Sequence, residues 1–459
     1  MDAAGPGGLV PVLTPILEHF GGRWLFAAMT DGDRELANTS LRPRQHGAEL
    51  HLLDLPSEIH RQHYQVASVG YLGMLFHYLF HPPYAPLFDR AFFKAWESYR
   101  QVNDLYAQKA LMLIERDLVW VQDYHLMLAA ARMQARQQSV RQTPTIYFHH
   151  VSWCEPDYFG ILPSSIGKEI LQGLLAHQVV AFHSRRWAQA FIRCCEQLLS
   201  GISCTEDAIG WRDRSVRVVS SPAALDFEHV ARLARDPRTE SWVEQFSQLR
   251  AGRWALVRVD RADLWKNLLR GFSAFEVLLE RRPSLAHDVW FLALVSPTRI
   301  WLPEYRRYLE QCKAVVERIN ERFASGPSFR PPVTLLIDQN PASTGRYRAL
   351  AGLRIADALL VNPIFDGLNL VAKEGVAVSE GQPVLLLSRN AGVYEELGHA
   401  AIGINPFDID ETATAIEQAF DMPSTERARR ATELRRLVLS RRPEDWGADQ
   451  LQHAYAEPM

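Results

Sequence analysis

The stretch ALLVNPIFDGLNLVAKE, residues 358–374, decides how the second half of the chain is read. Its first four residues form an apolar run of strand length. Asp366 and Gly367 then suit a tight turn, and a helix is expected to start near Leu368. A strand that ends in a turn and a helix start leaves the first backbone N–H groups unpaired. Such a terminus suits phosphate or sugar hydroxyls. Glu374 falls about two turns into that helix. Read alone, the D-G-x-N-L pattern is a helix cap as readily as a ligand loop.

The same unit recurs on both sides of this stretch. Runs 254–259, 289–295, 333–337 and 384–388 read as buried strands with long charged helices between them. An earlier block carries runs 117–121, 145–148 and 179–182, each followed by a helical stretch. Strands alternating with helices imply parallel sheets covered on both faces. The expected fold is α/β, with two Rossmann-like domains facing a central cleft. The polar, helix-poor stretch 200–226 divides the blocks. The expected domains are therefore 1–222 and 223–440, followed by a helical segment 441–459. Open parallel sheets bind ligands beyond the carboxyl ends of their strands, which makes the cleft the expected site.

Composition narrows the class. With 47% hydrophobic and 22% charged residues over 459 positions, the chain reads as globular and long enough for two or three domains. A net charge of −3 lacks the basic footprint of a nucleic-acid binder. No apolar run reaches membrane-spanning length, and the N-terminal residues do not read as a signal peptide. The five cysteines are odd in number and form no C-x-x-C pair, so reduced thiols in a cytoplasmic protein are expected.

Five further segments carry candidate chemistry. In VDRADLWKN, 259–267, Arg261 and Lys266 could both reach a bound diphosphate, and a helix start capped by Asp263 is an equal reading. At 119–125, a strand end delivers Asp123 and His125, with a capping role for Asp123 as the alternative. At 148–153, His149 and His150 are adjacent and so diverge. A polar active-site role for one of them is favoured over a metal site. Arg299, after the run 289–295, could hold an acceptor phosphate or make a surface salt bridge. The glycine loop 5–9 opens a helix and is weak alone. Five of the six segments, counting 366–374, sit at strand ends on one predicted side, and that order raises them above their separate readings.

The order also resembles the trehalose-6-phosphate synthase family. The matching elements are GGL at 7–9, the Tyr64, Ser68, Leu72, Phe76-His77-Tyr78 series, DYHL at 123–126 and His150-Val151. They continue with RADLWK at 261–266, PTR at 297–299, DGLNLVAKE at 366–374 and NPFD at 405–408. Nearly the whole chain is covered. The resemblance implies a retaining glycosyltransferase of the B-type fold, moving glucose from UDP- or GDP-glucose to glucose 6-phosphate. It implies no cofactor and no metal, the nucleotide-sugar being a co-substrate. It assigns Arg261 and Lys266 to the donor diphosphate, Glu374 to the ribose, and Gly8, Asp366, Gly367, Asn369, Leu370 and Val371 to the rest of the donor. Asp123 and His150 fall at the reacting junction, with Tyr64, Asp123 and Arg299 towards the acceptor.

Departures gather on the acceptor side. Gly73 replaces a family tryptophan, Gln122 a histidine and Phe365 an arginine, while HVSWC at 150–154 replaces H-I-P-F-P. The family's first strand precedes the glycine loop, and here six residues precede Gly7, so that strand is expected to be missing. Segments 157–163, 266–267 and 299–303 are similar to the validamycin-type pseudo-glycosyltransferase, which forms a C–N bond. Two alternatives follow: coupling of an activated cyclitol to an aminocyclitol phosphate, and a non-catalytic sugar-phosphate sensor. The expected partners are the donor and acceptor molecules, with no nucleic acid or membrane. Homo-oligomerisation is left open.

Overall fold

The computed structural model describes residues 9–39, 41–114, 118–137, 143–324, 330–338 and 344–455. The chain forms two compact units. One comprises Leu13–Ala223 with Glu444–Met459, and the other Met1–Val12 with Ala224–Pro443.

The first unit carries β1 (Gly22–Ala27), β2 (Arg44–Gln45) and β3 (Ala48–Leu53), a small sheet in the order β1-β3-β2. Its main sheet contains β4 (Val119–Gln122), β5 (Thr145–His149), β6 (Val179–Phe182), β7 (Ile202–Cys204), β8 (Ala208–Trp211) and β9 (Arg214–Ser220), in the order β4-β5-β6-β9-β8-β7. β4, β5, β6 and β9 run parallel, and β8 and β7 add antiparallel. The stretch 200–226, expected to divide two blocks, therefore supplies three strands of this sheet. Val216 and Val218 are buried while Arg217 between them is not. This period-2 pattern with one wet face reads as polar when only continuous apolar runs are sought. Of the run 117–121, Asp117 lies outside the described residues, and β4 extends one residue past the run, to Gln122.

The helix Pro443–Tyr455 closes this unit. Trp446 is buried, donates from Nε1 to the Ser221 carbonyl at 3.0 Å, and packs against Trp120 and Phe148 at 5.3 and 5.1 Å between centroids. Gln450 Nε2 donates to Ser221 Oγ at 2.6 Å.

The second unit carries β10 (Trp254–Arg261), β11 (Val289–Ser296), β12 (Val333–Ile337), β13 (Ala358–Val361), β14 (Val384–Ser388) and β15 (Ile402–Ile404). All are parallel, in the order β12-β11-β10-β13-β14-β15. Every residue of β11 and β14 is buried, as strands covered on both faces require. The chain builds outward from β10 to β12, then returns to β13 and builds the other way. The reversal parts the loops after β10 and β13 and makes their ends the natural ligand position. Helix Leu268–Arg281 packs Phe272 and Phe275 on Phe291 of β11, with centroids 5.5 and 5.2 Å apart. Helix Leu370–Val378 lies so close to β13 that a Cβ on Gly375 would meet Leu359 Cδ1 at 2.5 Å.

No helix among the described residues is long and apolar enough to cross a membrane, and the five cysteines are free thiols.

Replacing Trp446 with Ala removes a large buried ring and its hydrogen bond. Chemical denaturation should show the first unit destabilised by about 3–5 kcal/mol. A change below about 1 kcal/mol would mean that the helix merely rests on the unit.

Candidate functional site

The second unit assembles its candidate residues at the carboxyl ends of β10 and β13. Arg261 is the last residue of β10, and a short 3₁₀ turn Leu264–Lys266 follows. Asp263 does not cap that turn. It is fully buried, and its Oδ2 accepts from Arg261 Nε at 2.9 Å with Arg261 Nη2 at 2.7 Å. Its Oδ1 accepts from Arg299 Nη1. The expected Asp263 cap and the surface salt bridge of Arg299 are both replaced by this inward bridge. An uncompensated carboxylate at that depth would be costly, and two guanidinium groups satisfy it. The Asp263 charge in turn holds the Arg261 pKa above its ordinary value. Arg299 also lies over the rings of Trp265 and Tyr305, at 5.2 and 5.8 Å from their centroids.

Lys266 Nζ donates to Asp366 Oδ2 at 2.6 Å, and both side chains are 13% exposed. Asn369 Nδ2 donates to the same oxygen at 3.1 Å. Helix Leu370–Val378 starts after Asn369, two residues later than expected. Asn369 adopts φ 83°, and its Oδ1 accepts from Ala372 N at 3.2 Å. This side-chain cap needs the left-handed backbone that asparagine tolerates, which delays the helix. Glu374 consequently stands little more than one turn in. Its carboxylate takes two hydrogen bonds from Arg346, each 2.8 Å, and both residues are buried.

Several residues that hold this site escaped the sequence reading. Arg258 and Asp260 form a buried pair beneath Lys266, with Nη2 to Oδ2 at 2.8 Å, and Arg258 Nη2 also donates to the Lys266 carbonyl at 2.9 Å. Burial pushes the Asp260 pKa up, against the pull of Arg258 and Lys266. Asn267 Nδ2 ties the loop after β10 to the carbonyls of Asn362 and Pro406, at 2.9 and 2.7 Å. Gly392 is the sharpest omission. Asp366 N donates to Asn390 O at 3.2 Å and Gly392 N to Asp366 O at 3.0 Å, so the 390–392 segment runs against the Asp366 turn. A Cβ on Gly392 would lie 1.8 Å from the Gly367 carbonyl oxygen. The glycine following β14 was the available signal.

Among the candidates of the first unit, Asp123 follows β4 at φ 63°. Its N donates to Phe148 O at 2.7 Å, and its Oδ1 accepts from His150 N at 3.2 Å, so it fastens the ends of β4 and β5 rather than capping a helix. His149 and His150 diverge. His149 enters the core, with Nδ1 2.9 Å from Tyr147 Oη. His150 joins a polar chain: Ala223 N donates to His183 Nδ1 at 3.3 Å, His183 Nε2 lies 3.1 Å from His150 Nδ1, and His150 Nε2 lies 2.7 Å from Gln122 Oε1. The fixed backbone donor at one end assigns both rings the neutral Nε2–H tautomer, pointing donors from Ala223 to Gln122. Loss of hydration agrees, pushing the His150 pKa down to about 3. Tyr64 stacks on His125 at 5.5 Å between centroids, and the His125 carbonyl accepts from Asn103 and lies 3.0 Å from His63 Nε2.

Arg261, Lys266, Arg299, Asp366 and Asn369 are thus brought together within one unit, with Gly367 in the adjoining turn, Leu370 and Val371 opening the helix, and Glu374 in a separate pair. Asp123, His150 and Tyr64 belong to the other unit. Gly8 and most of its loop lie outside the described residues. Among the described residues, no group of three His, Cys, Asp or Glu side chains is placed to hold a metal.

Two outcomes follow. Gly392→Ala must part the 390–392 segment from the Asp366 turn. It should cost about 1–3 kcal/mol in thermal or chemical denaturation and displace Asp366 from Lys266; unchanged stability would contradict the contact. The second concerns pH. The pKa values of His63, His150 and His177 are lowered by burial to about 4, 3 and 3. Below the ordinary value of 6.5 the unfolded chain therefore binds protons that the folded chain refuses, and stability falls as pH drops from 6.5 towards 4. Denaturation at pH 7.5 and 5 should differ by on the order of 1 kcal/mol per ring. A flat profile would mean that these rings are protonated in the folded state.

Comparison with known proteins bears on these units as a whole. The model of Glycosyltransferase family 20 matches residues 2–456. A bifunctional trehalose-6-phosphate synthase/phosphatase of Thermoproteus tenax is 34% identical over 458 residues, 96% of this chain and 59% of that protein. A probable UDP-forming alpha,alpha-trehalose-phosphate synthase of Arabidopsis thaliana is 29% identical over 448 residues, 97% of this chain. This chain spans only 53% and 59% of the lengths of these two relatives. The crystal structure of a UDP-forming alpha,alpha-trehalose-phosphate synthase from Burkholderia vietnamiensis superposes with a TM-score of 0.85 at 27% identity, covering 98% of this chain and 97% of that one. The two-Rossmann, B-type architecture expected from the sequence is therefore the one found. With the family model matched from residue 2 to residue 456, the chain belongs to glycosyltransferase family 20.

Proposed function

We propose that the chain transfers a glucosyl unit from a nucleotide diphosphate sugar to glucose 6-phosphate, with retention at the anomeric carbon. The observation that carries the reading is the pairing of Lys266 with Asp366 across the β10–β13 switch point, beside Arg261 and the start of helix Leu370–Val378. Breaking the anomeric bond leaves negative charge on the departing diphosphate. Arg261, Lys266 and the N–H groups of Leu370 and Val371 would meet that charge where it develops. The diphosphate would compete with Asp366 for Lys266, turning the carboxylate towards the sugar hydroxyls. Glu374, oriented by Arg346, would accept from the ribose.

Tyr64, Asp123 and Arg299 would serve the acceptor, with neutral His150 at the reacting junction. In the mechanism implied by the family, the acceptor oxygen attacks the face that the leaving group vacates, and its proton passes to a diphosphate oxygen. No covalent carboxylate nucleophile is then required. UDP is the favoured nucleotide because the Arabidopsis and Burkholderia relatives are named as UDP-forming synthases.

The purified chain should be given UDP-glucose or GDP-glucose with glucose 6-phosphate, following nucleotide diphosphate release and product mass. Trehalose 6-phosphate is the expected product. Arg261→Ala and Lys266→Ala should each lower kcat about 100-fold or more with the thermal midpoint retained. Undiminished turnover in both variants would sink the reading. Product only with an aminocyclitol phosphate would change the acceptor class and the bond formed.

A further inference from the structure

Arg261 and Arg299 come from different strand ends, yet they meet on one side chain. β10 and β11 are held in register with Arg261 opposite Ser296, and Ala262 N donates to Ser296 O at 2.8 Å. That register brings the loop carrying Arg299 beside the end of β10. Two guanidinium groups placed so close repel each other unless a counter-charge lies between them. Asp263 supplies it. The side chain is 0% exposed and divides its oxygens, Oδ2 to Arg261 and Oδ1 to Arg299. Arg261 spends Nε and Nη2 on this contact. Its Nη1 makes no hydrogen bond or ion pair among the described residues.

We propose that Asp263 is a positioning residue that couples the donor and acceptor subsites, because one buried carboxylate holds both the guanidinium that meets the donor diphosphate and the one that meets the acceptor phosphate. This rests on the reading given above for Arg261 and Arg299. The physical link is sharing of one negative charge. While Arg299 occupies Oδ1, only part of the Asp263 charge opposes the pull of Arg261 on a diphosphate. Removing Arg299, or drawing it away onto a ligand, returns that charge to Arg261 and weakens its hold. Asp263 touches neither ligand in this account, and its effect reaches them through the two arginines.

The test is a double-mutant cycle read by calorimetric titration with UDP, and with GDP in parallel, on the full chain. Arg299→Ala should weaken nucleotide binding about tenfold, although Arg299 is assigned to the acceptor. In the Asp263→Asn background the same Arg299→Ala change should shift binding by less than twofold, because the shared charge is gone. A merely structural role for Asp263 would lower the thermal midpoint of the Asp263 variants and leave the Arg299 effect the same in both backgrounds, which overturns the proposal. So does an Arg299→Ala variant that binds as tightly as the parent. Should Asp263→Asn not fold, the cycle is run with Asp263→Ser, which also removes the charge. Transfer by the parent chain together with an absent coupling would overturn the role of Asp263 alone. A parent chain that binds neither nucleotide would overturn the functional reading with it.

Discussion

The second unit depends on charge compensation at a strand-order reversal. Arg258, Arg261, Lys266 and Arg299 converge where β10 and β13 end, and each is answered by a carboxylate: Asp260, Asp263 or Asp366. Without those carboxylates the cations could not be packed together in a partly dry site, since repulsion grows as solvent is excluded. With them, the site is nearly neutral at rest and its cations are already oriented. The diphosphate of the proposed donor would then exchange partners with groups already in place. That arrangement avoids much of the reorganisation that would otherwise accompany the appearance of charge.

The first unit solves a different problem with neutral groups. The backbone N–H of Ala223 sets the direction of a chain through His183 and His150 to Gln122. Each ring is both donor and acceptor, so no charge is needed to satisfy the buried nitrogens. Gln122 can end the chain because its amide oxygen accepts. A histidine there would have to present an unprotonated nitrogen instead. Asp123, held against His150 N, keeps the β4 and β5 ends at a fixed separation whichever group completes the chain.

Much of this was legible in the chain itself. Continuous apolar runs such as VWFLALV and VLLLS became the buried central strands, because a strand covered on both faces has no polar side to disguise it. The motif residues Arg261, Lys266, Asp366 and Asn369 met as strand-end positions should. What stayed hidden follows from geometry that lacks a one-dimensional signature. β7, β8 and β9 are half-wet strands, paired antiparallel from β9 to β8 and from β8 to β7, whose alternation is broken by short turns. Asp263 looked like a cap because an aspartate before a helix usually is one, and only the register of β10 with β11 shows Arg299 drawing it inward. Gly392 lies far in sequence from the turn it accommodates, and its importance appears only when the Gly367 carbonyl is seen against it.

The helix Pro443–Tyr455 has a consequence for how the chain is made. Trp446 and Gln450 complete the first unit, but the whole of 224–443 lies between that unit's other residues and this helix. A ribosome adding about 5–20 residues per second delivers the closing helix on the order of tens of seconds after Ala223. During that interval Trp120, Phe148 and Ser221 lack their cover, whereas the strands of the second unit emerge one after another with their neighbours. The unit synthesised first is therefore finished last, and its uncovered aromatic surface is where a nascent chain would most need a chaperone.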